Sequence, residues 1–169
     1  QKSVQLDPQD AEAHNNLGII LQELGRLKEA EKSYRQTIVL KPDYAEAHNN
    51  LGIILQELGR LKEAEASYRQ SITLKSDFAS VHYNLGITLK ELGKLKEAET
   101  SYRKAIELKP DYANTYNNLG NMLQEQGRLE EAEASYGKAI ALKPDYGEAI
   151  KNRWLLYFNK KRFEAALLD

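Results

Sequence analysis

The sequence predicts an all-α solenoid of antiparallel helix-turn-helix units, on three observations. First, the segment AEAHNNLGIILQELGRLKEAE stands at residues 11–31 and again, letter for letter, at 45–65, so the chain repeats itself with a period of 34 residues. A fixed period in this range marks an architecture in which each unit buries its apolar face only against its neighbours. Second, apolar residues recur at helical spacing in two runs within each period. Third, eight of the ten glycines fall at two repeat positions, and proline closes three of the four full units, which divides the runs into helices and turns.

The elements follow in order. Residues 1–10 are the tail of a preceding second helix, because SVQLDP at 3–8 aligns with TIVLKP at 37–42. Four full units occupy 11–44, 45–78, 79–112 and 113–146. In the first, His14, Leu17, Gly18 and Leu21 share one helical face and Gly25 ends the helix. Leu27, Ala30, Tyr34 and Ile38 form the stripe of the second helix. Lys41-Pro42-Asp43 stops it, since proline has no amide hydrogen and clashes with the preceding turn. The stop recurs at Pro110 and Pro144, whereas unit two has Ser76 there, so its linker is expected to be held more by packing. Residues 147–169 keep the period through Ala149, Phe163, Ala165 and Ala166 but carry Arg153 and Trp154 where Leu and Gly belong. This atypical partial fifth unit is expected to cap the stack or lead into another domain.

These units resemble the tetratricopeptide repeat, whose pattern is W-x2-L-G-x2-Y, A-x3-F, P at period 34. Unit one reads His14-x2-Leu17-Gly18-x2-Leu21, Ala30-x3-Tyr34, Pro42. The chain departs from the pattern at the Trp position, occupied by His14, His48, His82 and Tyr116, and at the first Tyr position, occupied by Leu21, Leu55, Leu89 and Leu123. The resemblance implies a right-handed superhelix whose first helices line a concave groove. The small residues Gly18, Gly52, Gly86 and Gly120, with Ala30, Ala64, Ala98 and Ala132, are expected where the two helices of a unit approach closely, so bulk there overpacks the contact.

Composition excludes several classes. With 24 Lys and Arg against 25 Asp and Glu, net charge −1, 41% apolar residues and no cysteine, the chain is neither disordered, collagen-like nor a disulfide-stapled scaffold. A near-neutral balance disfavours nucleic acid or an anionic membrane as partner, because both are bound through clustered cations. No run approaches the roughly 20 apolar residues of a membrane helix, and QKSVQLDPQD lacks the apolar core of a signal peptide. The chain does not open with Met and is expected to be part of a longer intracellular, cytoplasmic protein.

Nothing in the sequence points to catalysis, a cofactor or a metal. No nucleophile motif, phosphate-cradling loop or HExxH is present. The three histidines recur at one repeat position, but equivalent helices lie roughly 10 Å apart while zinc takes ligands at about 2.0–2.1 Å, so His14, His48 and His82 are read as packing residues. The Glu residues, such as Glu29, Glu31, Glu63 and Glu65, alternate with Lys28, Lys32 and Lys62, as expected of solvated helical faces paired at i,i+3 and i,i+4.

The informative feature is the first-helix stripe. At 100° per residue, repeat positions 2, 5, 6, 9, 12 and 13 cluster opposite the packing positions 4, 7, 8 and 11. Position 6 is asparagine in every unit: Asn16, Asn50, Asn84, Asn118 and Asn152. Asparagine is a poor helix former, but its amide suits a two-point contact with a peptide backbone. One helix spacing of roughly 10 Å matches about three residues of extended chain. The pattern resembles the asparagine ladder that holds an extended peptide in the superhelix of O-linked N-acetylglucosamine transferases, and the repeats are also similar to bacterial tetratricopeptide arrays. Two roles stand open for these amides: ligand contact, or hydrogen bonds to neighbouring helices and water. Around them lie Asn15, Asn49, Tyr83 and Asn117 at position 5, and Ile19, Ile53, Ile87 and Asn121 at position 9. Gln22, Gln56, Lys90 and Gln124 follow at position 12, with Glu23, Glu57, Glu91 and Glu125 on the rim. Lys90 is the one cation of this stripe in the four full units, too few for the Lys- and Arg-rich clamp by which other tetratricopeptide domains hold acidic tails.

The expected function is therefore a scaffold that binds an extended peptide or partner protein in the groove. Two alternatives remain: the substrate-recruiting region of a larger glycosyltransferase or sulfotransferase, and a homo-oligomeric scaffold built by end-to-end stacking. For the severed N-terminal face, the expectation is association with another copy or cover from residues 1–6 folded back.

Overall fold

A computed structural model describes residues 10–166, with side chains up to position 159. These residues form nine α-helices and no strand: α1 (Ala11–Glu23), α2 (Leu27–Leu40), α3 (Ala45–Glu57), α4 (Leu61–Leu74), α5 (Ala79–Glu91), α6 (Leu95–Leu108), α7 (Ala113–Glu125), α8 (Leu129–Leu142) and α9 (Gly147–Ala166). The expected all-α helical-repeat solenoid is what forms. Each helix packs on the next in sequence order, and successive first helices α1, α3, α5, α7 and α9 also meet one another. The interactions expected of residues 1–6 lie outside the described residues.

The turn inside each unit is fixed by glycine. Gly25, Gly59, Gly93 and Gly127 have φ of +70° to +76°, a left-handed conformation that a side chain disfavours. In unit one the Gly25 amide donates to the Gln22 carbonyl at 2.9 Å, and the Arg26 amide to the Leu21 carbonyl at 2.8 Å. This paired closure satisfies the carbonyls left over at the end of α1 and turns the chain back on itself.

The second glycine position makes the hairpin close. A Cβ on Gly18 would lie 2.5 Å from the Tyr34 ring, and Gly52, Gly86 and Gly120 stand likewise against Tyr68, Tyr102 and Tyr136. The four rings are at most 1% exposed. Ala30, Ala64, Ala98 and Ala132 are fully buried in the same contact, as expected of small residues between close helices.

Between units, the first helix is buried on more of its surface than the predicted stripe. Ala47, Val81 and Thr115 at position 3, and Ile54, Thr88 and Met122 at position 10, are fully buried, so they join Leu51 and Leu55 in the core. A solenoid helix is sandwiched between its own hairpin partner and the preceding unit, and a single amphipathic stripe accounts for only the first of these. Each Ile or Leu so enclosed contributes about 1.5–3 kcal/mol.

The histidines do more than pack. His48 Nε2 lies 2.9 Å from the Pro42 carbonyl oxygen, and His82 Nε2 lies 3.0 Å from that of Ser76, tying each first helix to the linker before it. The Ser76 linker thus has the same restraint as the Pro42 linker, and Lys75 stands over Phe78 at 4.0 Å as Lys41 does over Tyr44 at 4.9 Å. Among the described residues no group of His, Asp and Glu has the arrangement of a metal site.

The acidic residues pair across units as well as within helices. Glu31 accepts from Arg35 at 2.9 Å and from Arg60 of the next unit at 2.8 Å. Glu65 does so from Arg69 and Lys94, and Glu99 from Arg103 and Arg128. Burial works against ionising Glu31 and Glu65, but these cationic donors outweigh it and hold both carboxyls below their ordinary value; for Glu99 the Arg128 hydrogen bond is the largest influence.

In the fifth unit α9 is a single helix of 20 residues. Lys161 stands where the other units have the turn glycine, so nothing there forces a reversal. Trp154, in the place of the glycine that admits the tyrosine ring, is 61% exposed and stacks on Phe158 at 5.3 Å. No helix among the described residues is long and apolar enough to cross a membrane.

Candidate functional site

The face shared by α1, α3, α5, α7 and α9 carries the predicted site, and its geometry follows from the 34-residue period. Each position-6 amide reaches back to position 5 of the unit before it. Asn50 Nδ2 donates to Asn15 Oδ1 at 3.3 Å, Asn84 to Asn49 Oδ1 at 3.5 Å, Asn118 to the Tyr83 hydroxyl at 3.1 Å, and Asn152 to Asn117 Oδ1 at 3.1 Å. Asn16 is exposed and heads the row. The two predicted rows are therefore one hydrogen-bonded seam between neighbouring first helices.

The seam changes the status of position 5. Asn15 is 5% exposed and Asn117 is fully buried, with Asn117 also donating to Glu148 at 3.0 Å; these two do not lie free on the surface, as a stripe drawn for an isolated helix places them. Asn49 and Tyr83 are half-buried. Position 6 is different, because Asn50, Asn84 and Asn118 are only half-buried, and one donated bond leaves an amide with a second N–H and carbonyl lone pairs to offer.

Position 9 supplies the apolar part: Ile19 is 39% exposed, and Ile53, Ile87 and Asn121 are half-buried. Asn121 Oδ1 accepts from the Tyr136 hydroxyl at 2.8 Å and from Asn152 at 2.9 Å, which leaves its NH2 group to face elsewhere. Lys90 is not a free cation, since its Nζ lies 2.7 Å from Glu125. Ile87, Lys90, Asn118 and Asn121 come together around a depression of about 220 Å³ between units three and four, completed by Glu91 and Tyr102.

Tyr102 was not legible as a site residue, because it reads as part of the second-helix packing stripe. Its equivalents show why it reaches this face: the hydroxyls of Tyr34, Tyr68 and Tyr136 donate to the side-chain carbonyls of Gln22, Gln56 and Gln124 at 3.2, 3.0 and 3.0 Å. Burial pushes Tyr34, Tyr83 and Tyr136 up to about 12 and raises Tyr68 and Tyr102 as well. All five are neutral hydroxyl groups at physiological pH, able to donate.

A periodic all-α solenoid whose first helices share one amide-lined face is the architecture of a protein-interaction scaffold. The family model of the tetratricopeptide repeat matches residues 9–77, 43–111 and 77–145, and the chain belongs to that family. Membership supports a role in protein interaction. No curated protein sequence matches the chain. Among solved structures it is similar to MamA, at TM-score 0.78 and 26% identity over 82% of this chain and 81% of that one. It is similar to YrrB, described as a TPR protein with an unusual peptide-binding site, at TM-score 0.77 and 22% identity over 92% and 80%. PilF of Pseudomonas aeruginosa superposes at TM-score 0.82 and 22% identity over 94% of this chain and 72% of that one. The last two likenesses concern the fold.

Proposed function

We propose that the chain binds an extended segment of a partner protein along a concave groove formed by the first helices, with Asn16, Asn50, Asn84 and Asn118 contacting the segment's backbone and Ile19, Ile53 and Ile87 its side chains. The observation that carries this reading is the unspent hydrogen-bonding capacity of the position-6 amides. Asn84 and Asn118 are each oriented by one side-chain bond to the preceding unit, and Asn50 by one such bond and one accepted from Asn49 at 3.3 Å, which holds each at one place per repeat without exhausting it. Oriented donors cost less entropy to engage than free ones. Lys90, paired with Glu125, adds little net positive charge, so a neutral or mixed segment suits this face better than an acidic tail.

The test is binding of an extended-peptide library to the parent and to a variant with alanine at those four asparagines, with helicity checked by circular dichroism. Retained helicity with lost binding is the expected result. Equal binding by both proteins would return the amides to a purely structural role. A second reading, self-association through the ends, is favoured by Ile20, Leu24 and Trp154, which are 53%, 64% and 61% exposed. Scattering across a concentration series separates it: a mass that rises with concentration supports self-association, and a constant monomer mass removes it.

A further inference from the structure

The four units are near-copies, so a place where a repeated hydrogen bond is broken inside the core stands out. In units one, two and four the buried tyrosine hydroxyl donates to the position-12 glutamine. In unit three position 12 is Lys90, whose ammonium offers no acceptor and which turns instead to Glu125 at 2.7 Å. Among the described residues the Tyr102 hydroxyl meets no acceptor; the residue as a whole is only 1% exposed, yet its hydroxyl is not among the fully buried unpartnered atoms and so can be reached from the surface. Position 10 of the following unit brings no help, since Met122 is apolar. Tyr102 borders the depression of about 220 Å³ on the first-helix face, together with Ile87, Lys90, Glu91, Asn118 and Asn121.

We infer that this depression is a specificity pocket for a carboxamide side chain, glutamine or asparagine, of the bound segment, whose carbonyl oxygen takes the Tyr102 proton. The inference rests on the groove reading above and names the chemistry of one of its subsites. The molecule supplies the template: in three units a glutamine carbonyl oxygen occupies the place facing this hydroxyl, and in the third the side chain that would supply it is gone. The donors left over agree. Asn121 spends its carbonyl on Tyr136 and Asn152, so its NH2 is what it has to give, and Glu91 and the Asn118 carbonyl are acceptors for the ligand's own NH2. A carboxylate suits the pocket less, because Lys90 is already neutralised by Glu125 and Glu91 repels it. An apolar side chain leaves the Tyr102 donor buried and unanswered. The volume is below the roughly 300–1,000 Å³ of ordinary small-molecule pockets, in keeping with a single side chain.

The experiment measures affinity for short extended peptides in which one position is walked through Gln, Asn, Glu and Met, against the parent, Tyr102→Phe and Lys90→Gln. Lys90→Gln restores the residue of the other three units and fills the pocket from within. The parent is expected to prefer Gln over the similarly sized Met by about five- to tenfold, the yield of one net hydrogen bond. Both variants should shrink that preference to within about twofold. Peptide binding with no Gln preference, a preference for Glu, or a preference unchanged in both variants overturns the pocket and leaves the groove standing. Failure of every peptide to bind removes the groove reading and the pocket together.

Discussion

Helices α1 and α3 have the same thirteen letters, AEAHNNLGIILQE, and different lives. Ile54 is fully buried, whereas its twin Ile20 is 53% exposed. His48 reaches the Pro42 carbonyl at 2.9 Å, whereas His14 Nε2 is buried with no partner among the described residues. The contacts made inside a unit are by contrast unchanged, for Gly18 and Gly52 face Tyr34 and Tyr68 at 2.5 and 2.6 Å from the position of an added Cβ. A helix sequence therefore fixes the inside of its own hairpin, while the value of its outward residues is set by the unit that precedes it.

Identical substitutions in the two copies probe this difference directly. Ile54→Ala should lower unfolding free energy by about 2–5 kcal/mol through the cavity it leaves, against less than about 1 kcal/mol for Ile20→Ala; denaturant titration reads both, and equal losses would mean that the first unit is packed as fully as the second. Gly18→Ala and Gly52→Ala should by contrast cost the same, about 1–3 kcal/mol each, because both force a methyl group onto a tyrosine ring of their own unit. A difference between them would show that the hairpin contact depends on neighbours after all.

Smaller effects sharpen the same contrast. His48→Ala removes a bond to the preceding linker and should cost about 0.5–1.5 kcal/mol, with little change for His14→Ala in thermal melts. The smallest effect is electrostatic. Glu31, Glu65 and Glu99 are held below their ordinary value by one cationic partner on their own helix and one from the next unit. A depressed carboxylate stabilises the fold above its unfolded value and loses that contribution as pH falls through the folded one. The melting temperature should therefore drop on acidification below about pH 4.5, more gently in Glu65→Gln and at high salt, where exposed pairs are screened.

The fold was legible because the chain carries its own controls. Four copies of one hairpin expose which positions must be Gly, Ala or Tyr, and the left-handed turn at Gly25 and the ring contact at Gly18 both appeared as letters that do not vary. The candidate face was half legible. Helical periodicity placed Asn50, Ile53, Ile87 and Lys90 on one side, but it treated each helix as isolated and so left Asn15 and Asn117 on the surface. It also paired the glutamates only along their own helices; Glu31 and Glu65 do pair at i,i+4 with Arg35 and Arg69, and the structure adds Arg60 and Lys94 from 29 residues away.

By itself the sequence determined what depends on local rules: the period, the helices, the reversal at each left-handed glycine and the close approach within a hairpin. Only the tertiary structure decided which copy of an identical residue is buried, that the asparagines form a seam between neighbouring first helices, and that Tyr102 borders the depression between units three and four without the glutamine its equivalents have. The physical reason is range. Backbone conformation and hairpin packing are settled among residues close in the chain, whereas burial and hydrogen-bond satisfaction are sums over neighbours that only stacking brings together.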